Sequence, residues 1–134
     1  MAIRIIPFLV AILVAVGMFR ASGAMTLLVG PIGYVSTWFG LPAEVVPMAL
    51  IRPLSGTGAF AMMSEIISRA PDSYEAFVAS TVMGSTETTF YVLAVYFGAV
   101  GVTKVRYALI AGLVADCAGV LAAGLVSLWW FNNM

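Results

Sequence analysis

The chain has 134 residues, of which 63% are hydrophobic and only 9% charged, with a mean hydropathy of +1.09. A soluble domain covers its surface with about 25% charged residues, so this composition excludes a water-soluble globule and points to a protein immersed in the lipid bilayer. Six basic and six acidic residues cancel, there is no histidine, and Cys117 is the single cysteine; this excludes a basic footprint for a nucleic acid polymer, internal disulfides, and zinc or haem spacings.

Ile5 to Phe19 is an apolar run between Arg4 and Arg20. It falls short of the roughly 20 residues of a spanning helix, and Arg20 can extend it by snorkelling to the interface. The opening MAIRIIPFLVAILVAVGMFRASGA also has the positive start, apolar run and small residues of a secretory signal. Everything downstream is apolar as well, so a retained membrane segment is expected. AMTLLVGPIGYVSTWFGLP comes next, uncharged but punctuated by Gly30, Pro31, Gly33, Gly40 and Pro42. Its Tyr34, Trp38 and Phe39 suit a segment near lipid headgroups.

Val45 to Ile51 and Ala59 to Met63 are apolar runs, each about half a membrane thick at roughly 1.5 Å per residue. Between them stands Arg52-Pro53-Leu54-Ser55-Gly56-Thr57-Gly58. Pro53 disfavours helix at Arg52, and the glycines permit sharp backbone. Two half-length helices around a polar tip predict a re-entrant hairpin, with an interfacial loop between tilted helices as the alternative. Irregular backbone at membrane depth is stable only when buried in protein or lining a wet cavity.

Ser68 to Ala76, SRAPDSYEA, is the solvated stretch, with Asp72 or Ser73 as the cap of the next helix. Ala76 to Val82 and Phe90 to Val102 are apolar, and Gly84-Ser85-Thr86-Glu87-Thr88-Thr89 between them is poor helix sequence. Lys104 and Arg106 form the densest positive pair, which places that loop in the cytoplasm. Tyr107 to Phe131 is the cleanest spanning helix. It carries Asp116 near its middle, ends in the aromatic belt Trp129-Trp130-Phe131, and has Gly112, Gly119 and Gly124 available for close helix contact.

An ionisable group at membrane depth is a functional-site hypothesis by default, and Arg52, Glu87 and Asp116 are the three candidates. Arg52 and Glu87 each sit in a break between apolar half-elements. If the breaks meet, their freed backbone groups, the hydroxyls of Ser55, Thr57, Ser85, Thr86 and Thr88, and the Glu87 carboxylate face one small polar solute. Paired Gly/Pro-interrupted segments in secondary transporters follow this pattern. The bland alternative is an Arg52–Glu87 pair that serves as an internal strut. Asp116 is a candidate for ion coupling, or pairs with Arg20 or a partner subunit. Cys117 is a packing residue, Glu65 and Arg69 are spaced for an interfacial i,i+4 pair, Glu44 faces headgroups, and Met62 and Met63 face lipid or core. A serine hydrolase based on Ser55 or Ser85 would lack a histidine and a well-spaced base, so no enzyme is expected.

The RPLSGTGA motif, the GSTETTFYVLAVYFGAVG motif and the ALIAGLVAD helix resemble the spore maturation protein B family of the nucleoside-recognition Gate domain superfamily, from about Ile6 to Leu128. More distantly, Gly84-Ser85-Thr86-Glu87 is similar to the Gly-Gln-Thr-Glu type hairpin motif of concentrative nucleoside transporters, with Ser85 where the glutamine stands. Ferrous iron transporters carry related repeats. The resemblance implies an all-α integral membrane protein: spanning helices plus a re-entrant hairpin and broken helices, one half of an inverted-repeat transporter-like architecture, as a single membrane-embedded domain over residues 1–134. Family members are expected to open with a further apolar segment upstream of the Ile5 helix.

The implied function is a multi-pass subunit of the bacterial inner membrane, either a homo-oligomer or a heterodimer with an A-type sister subunit. It binds or transports a small polar solute, nucleoside-like for instance, and has no cofactor and no metal. The site residues would be Glu87, Thr86, Ser85, Thr88, Arg52, Ser55, Gly56, Thr57 and Gly58, with Asp116 for ion coupling. A structural or assembly subunit with no substrate of its own is the alternative.

Overall fold

The computed structural model describes residues 21–102 and 104–133, together with Val14 and Met18. The Ile5–Phe19 helix expected from sequence, and Arg20 with its suggested partnership to Asp116, lie outside the described residues apart from those two positions. Every regular element among the described residues is helical, with no strand.

Helix α1, Ala24–Ser36, runs unbroken through Gly30, Pro31 and Gly33, the residues that punctuate the segment in sequence. A glycine costs a helix only about 1 kcal/mol, and apolar surroundings reward helical hydrogen bonding more than water does. The chain stops instead at Gly40, after a short 3₁₀ turn Thr37–Phe39. Leu41 N–H bonds Ser36 O at 3.0 Å and Gly40 N–H bonds Thr37 O at 3.1 Å, the double closure of a Schellman ending. It requires the left-handed φ of +71° at Gly40. The Ser36 hydroxyl adds bonds to Gly33 O and Leu41 O.

Helix α2, Val46–Ile51, has six residues and opens with Pro47 in its first turn, where a missing N–H costs nothing. Arg52 keeps helical dihedrals although Pro53 follows; its side chain is held from outside, as shown below. Helix α3, Gly56–Arg69, begins inside the polar motif, with Ser55 as N-cap accepting from Gly58 N–H at 3.1 Å. Helix α4, Tyr74–Ser85, is capped by Ser73, which accepts from Ala76 N–H. The Tyr74 hydroxyl donates to Gly40 O at 2.7 Å, pinning the start of α4 to the end of α1. Burial, then the neighbouring Glu75 carboxylate, push the pKa of that phenol above its usual value, so its proton stays in the bond. After Thr86-Glu87-Thr88 the chain resumes as α5, Thr89–Tyr91, which widens into a π-helical stretch, Val92–Phe97.

Helix α6, Ala108–Asn132, has 25 residues. At roughly 1.5 Å per residue it is long enough to cross a hydrocarbon core, and it is the one helix among the described residues that is both long and apolar enough to do so. Its outer face exposes Ile110, Val114, Leu125 and Trp129, as a lipid-facing surface would. Its inner face carries Gly112, Asp116, Gly119, Ala123 and Ser127, spaced by threes and fours, with Gly124 beside Ala123. The three glycines provide close contact, as their spacing in the sequence suggests. A Cβ on Gly119 would lie 2.9 Å from Ser85 O, and one on Gly112 would lie 2.7 Å from Thr89 Cγ2. Gly124 meets the backbone of Phe39, and across from it a Cβ on Gly40 would lie 2.6 Å from Gly124 O.

The core lies where α2, α3 and α4 pack together and meet α6. It is built from Val45, Met48, Ala59, Met62, Val78, Val82 and Ala123, among others. Met62 is core, and Met63 packs against it. Arg69 pairs with Glu44 at 2.9 Å at the exposed edge.

Candidate functional site: the junction of two broken helices

The two polar motifs meet. Phe90 N–H donates to Pro53 O at 3.1 Å, a backbone bond that ties the turn after α2 to the first turn of α5. The last carbonyls of an α-helix have no partner within it, and in a membrane water does not supply one. Arg52 fills that role for α4. Its guanidinium donates to Thr86 O at 2.6 Å, to Met83 O at 3.3 Å and to the Thr88 hydroxyl at 2.8 Å. Arg52 is only 6% exposed, and its positive charge sits at the negative end of the α4 dipole. Gly56 makes this possible, because a Cβ there would lie 2.8 Å from Thr88 Oγ1 and 3.2 Å from the Arg52 guanidinium.

The start of α5 is held from the opposite side. Asp116, buried on α6, accepts Glu87 N–H at 3.2 Å through Oδ1 and the Thr89 hydroxyl at 2.5 Å through Oδ2. One of its oxygens thus accepts from the broken backbone and the other from the side chain that opens α5. Thr86 is turned back onto α4, donating to Val82 O at 2.7 Å.

Glu87 stands apart from these closures. Its side chain is 74% exposed against 7% for Arg52, and the two approach only to 3.9 Å. The close bonds of the guanidinium go to backbone carbonyls and a hydroxyl instead. Glu87 Oε1 accepts Thr88 N–H at 2.9 Å, and Oε2 has no hydrogen-bond partner among the described residues. Two clefts open beside this carboxylate, each of about 280 Å³. One is lined by Glu87, Tyr91, Val92 and Tyr96. The other runs between α5 and α6 past Thr89 and Phe97 to Asp116. A third, apolar cleft of about 370 Å³ between α1, α2 and α6 reaches Asp116 and Cys117 from the far side.

Among the residues singled out from sequence, Arg52, Gly56, Thr86, Glu87, Thr88 and Asp116 come together. Ser85 lies at the edge, with its hydroxyl 3.4 Å from Gly119 O. Ser55, Thr57 and Gly58 form the cap of α3, with Ser55 and Thr57 hydroxyls 3.3 Å apart; they do not line the clefts beside Glu87. Three residues were not anticipated: Thr89, Tyr91 and Tyr96. Tyr91 lies four residues beyond Glu87, a helical spacing that was available in the sequence. Tyr96 was hidden, because its position depends on the π-helical widening.

Comparison with known proteins gives the family. The family model described as nucleoside recognition, Gate, matches residues 2–103. Spore maturation protein B of Bacillus subtilis (strain 168) is 49% identical over 133 residues, covering 98% of this chain and 75% of that protein. No solved structure matches. The broken-helix junction lies wholly within the matched region except for Asp116, whose helix the longer alignment includes. An all-helical membrane protein with these motifs, matched along nearly its whole length, belongs to the spore maturation protein B family of nucleoside-recognition Gate domain proteins.

Proposed function

We propose that the chain is a non-enzymatic, multi-pass subunit of the bacterial inner membrane that binds a small polar solute at the α4–α5 break. In this reading α2 and α3 form a re-entrant hairpin, and the domain is one half of a transport path. A second copy or an A-type sister subunit completes it. One observation carries the proposal: Glu87 presents an exposed carboxylate at the centre of a junction where both terminal nitrogens of Arg52, the Thr88 hydroxyl and both Asp116 oxygens are already engaged, and the unbonded Arg52 Nε is buried. Exposing a charge there is costly in an apolar medium, and a solute that uses it accounts for the cost. Thr86, Thr88, Arg52 and Gly56 act as the scaffold that fixes Glu87. Asp116, reached by clefts from both sides of α6, is the ion-coupling candidate.

The test is thermal stabilisation of the detergent-solubilised protein by nucleosides, nucleobases, small carboxylates, Na⁺ and divalent metals, repeated with Glu87→Gln. A ligand that binds the folded state raises the melting temperature, and the expected outcome is that Glu87→Gln loses this shift while the folded oligomer persists. Unchanged ligand stabilisation in Glu87→Gln would remove the assignment.

The second reading, a structural subunit without substrate, draws on the buried, three-bonded Arg52. It predicts no ligand shift at all and a complex that dissociates when the Arg52–Glu87 contact is cut.

A further inference from the structure

Resting on the reading of Glu87 as the solute contact, we infer that the solute is an organic cation, a small alkylammonium group seated between the Glu87 carboxylate and the rings of Tyr91 and Tyr96. Charge balance is the first ground. The junction holds two carboxylates, Glu87 and Asp116, against one guanidinium, Arg52. Arg52 is the only cation within ion-pairing distance of Glu87 among the described residues, and no lysine or arginine lines either cleft beside it. Both Asp116 oxygens accept hydrogen bonds, as an ionised carboxylate does. The junction is therefore one positive charge short. An uncompensated charge at membrane depth calls for a partner of opposite sign, so an anionic solute would compound the deficit.

The second ground is the cleft wall. It consists of Glu87, Tyr91, Val92 and Tyr96. The two tyrosine rings stand edge to face, with centroids 6.1 Å apart. Aromatic faces attract ammonium groups, and such groups are recognised by a carboxylate among aromatic rings. A divalent metal fits less well, since the described residues contain no group of three or more metal-ligating side chains.

The third ground is the backbone. At roughly 100° per residue, two positions five apart on an α-helix point about 140° away from each other. Tyr91 and Tyr96 would then face different surroundings. The π-helical stretch Val92–Phe97, which follows Tyr91 and contains Tyr96, replaces i→i+4 by i→i+5 bonding, which sets residues five apart about one turn above each other. The widened turn is thus what brings both rings to the wall that carries Glu87. Wide turns of this kind are uncommon and frequent at functional sites.

The test uses the full chain in detergent at fixed ionic strength. Choline is the probe and 3,3-dimethylbutan-1-ol, its uncharged isostere, is the control; adenosine and uridine serve as neutral solutes. Binding is read by equilibrium dialysis and by the melting temperature. Choline is expected to bind and the isostere not. Glu87→Gln should lose choline binding. Tyr91→Leu and Tyr96→Leu should each weaken it about threefold to tenfold, and Tyr91→Phe and Tyr96→Phe should restore it. These positions are exposed, so the variants keep the fold. Equal binding of choline and its isostere, or choline binding that survives Glu87→Gln, overturns the inference. Glu87-dependent binding of a neutral nucleoside without choline overturns the cation class and leaves the solute-binding role standing. Absence of binding by every probe overturns both.

Discussion

The turn between α2 and α3 and the gap between α4 and α5 both interrupt a helix with polar sequence, yet they are closed in different ways. The first closes itself. Leu54 and Ser55 N–H groups both return to Ile51 O, and Ser55 caps α3 from one residue away. The second has almost no local closure. Its carbonyls are taken by Arg52 from 31 and 34 residues earlier in the chain, and its N–H groups by Asp116 on α6 and by Glu87 itself. A self-closed turn makes a platform. A gap held from two sides leaves one residue, Glu87, exposed at a fixed place. Substitutions that separate the holders from what they hold test this division.

The largest effect is expected at Arg52. Arg52→Met removes three bonds from a charged donor and leaves Thr86 O and Met83 O without that partner in a buried site. Breaking a buried charged contact of this kind costs about 3–5 kcal/mol. Unfolding in mixed detergent and SDS micelles measures it. A loss below about 1 kcal/mol would mean that the gap does not depend on the first turn.

Next comes the approach of α6. Gly119→Ala places a methyl group 2.9 Å from Ser85 O, backbone that cannot swing away as a side chain would. Overpacking of this kind costs about 1–3 kcal/mol. Because it pushes α6 and Asp116 off the gap, any solute affinity at Glu87 should fall along with stability. Gly84→Ala, next to Ser85 on α4 but in open space, is the control and should be near neutral or better. Equal effects from the two would dissociate the gap from α6.

Asp116→Asn is milder. The amide keeps one acceptor for Glu87 N–H but loses the charge that both donors meet. Stability should fall by about 1–2 kcal/mol. Amide exchange at Glu87 and Thr88 should rise more than exchange in α2, because only the second break is held from α6. A uniform rise would place Asp116 in the general packing instead.

How much of this was legible beforehand divides along the same line. The α6 span was read as Tyr107 to Phe131 and is found as Ala108–Asn132, since length and hydropathy are local properties. The gap was read across Gly84 to Thr89 and narrows to Thr86–Thr88, because helix hydrogen bonding carries through Gly84 and Ser85. The glycines of α6 were legible as small residues at helical spacing. The partners were not. Nothing in the sequence couples Asp116 to the Glu87 amide, or Arg52 to the carbonyls of α4, because these bonds join positions about 30 residues apart. The helix starting at Gly56 within the polar motif was also missed. Two glycines read as a sharp tip, while the cap from Ser55 that starts the helix needs only one hydroxyl in the right place.

The smallest effect separates Arg52 from Arg69, which is also paired among the described residues. Arg69 meets Glu44 at 2.9 Å, much closer than Arg52 meets Glu87. Distance alone would rank it the stronger contact. Its side chain is 48% exposed and that of Glu44 is 53% exposed. Water and salt screen such a pair, and holding two long side chains together costs entropy, so exposed pairs are worth about 0.2–1 kcal/mol. Glu44→Gln should therefore cost less than about 1 kcal/mol, and the difference should vanish in high salt. The Arg52→Met loss should persist there, because its bonds are buried. If Glu44→Gln proved as costly and as salt-insensitive as Arg52→Met, that edge of the molecule would lie in a dry contact, with lipid or with another subunit. The contrast between a buried holder and an exposed pair would then have to be redrawn around that contact.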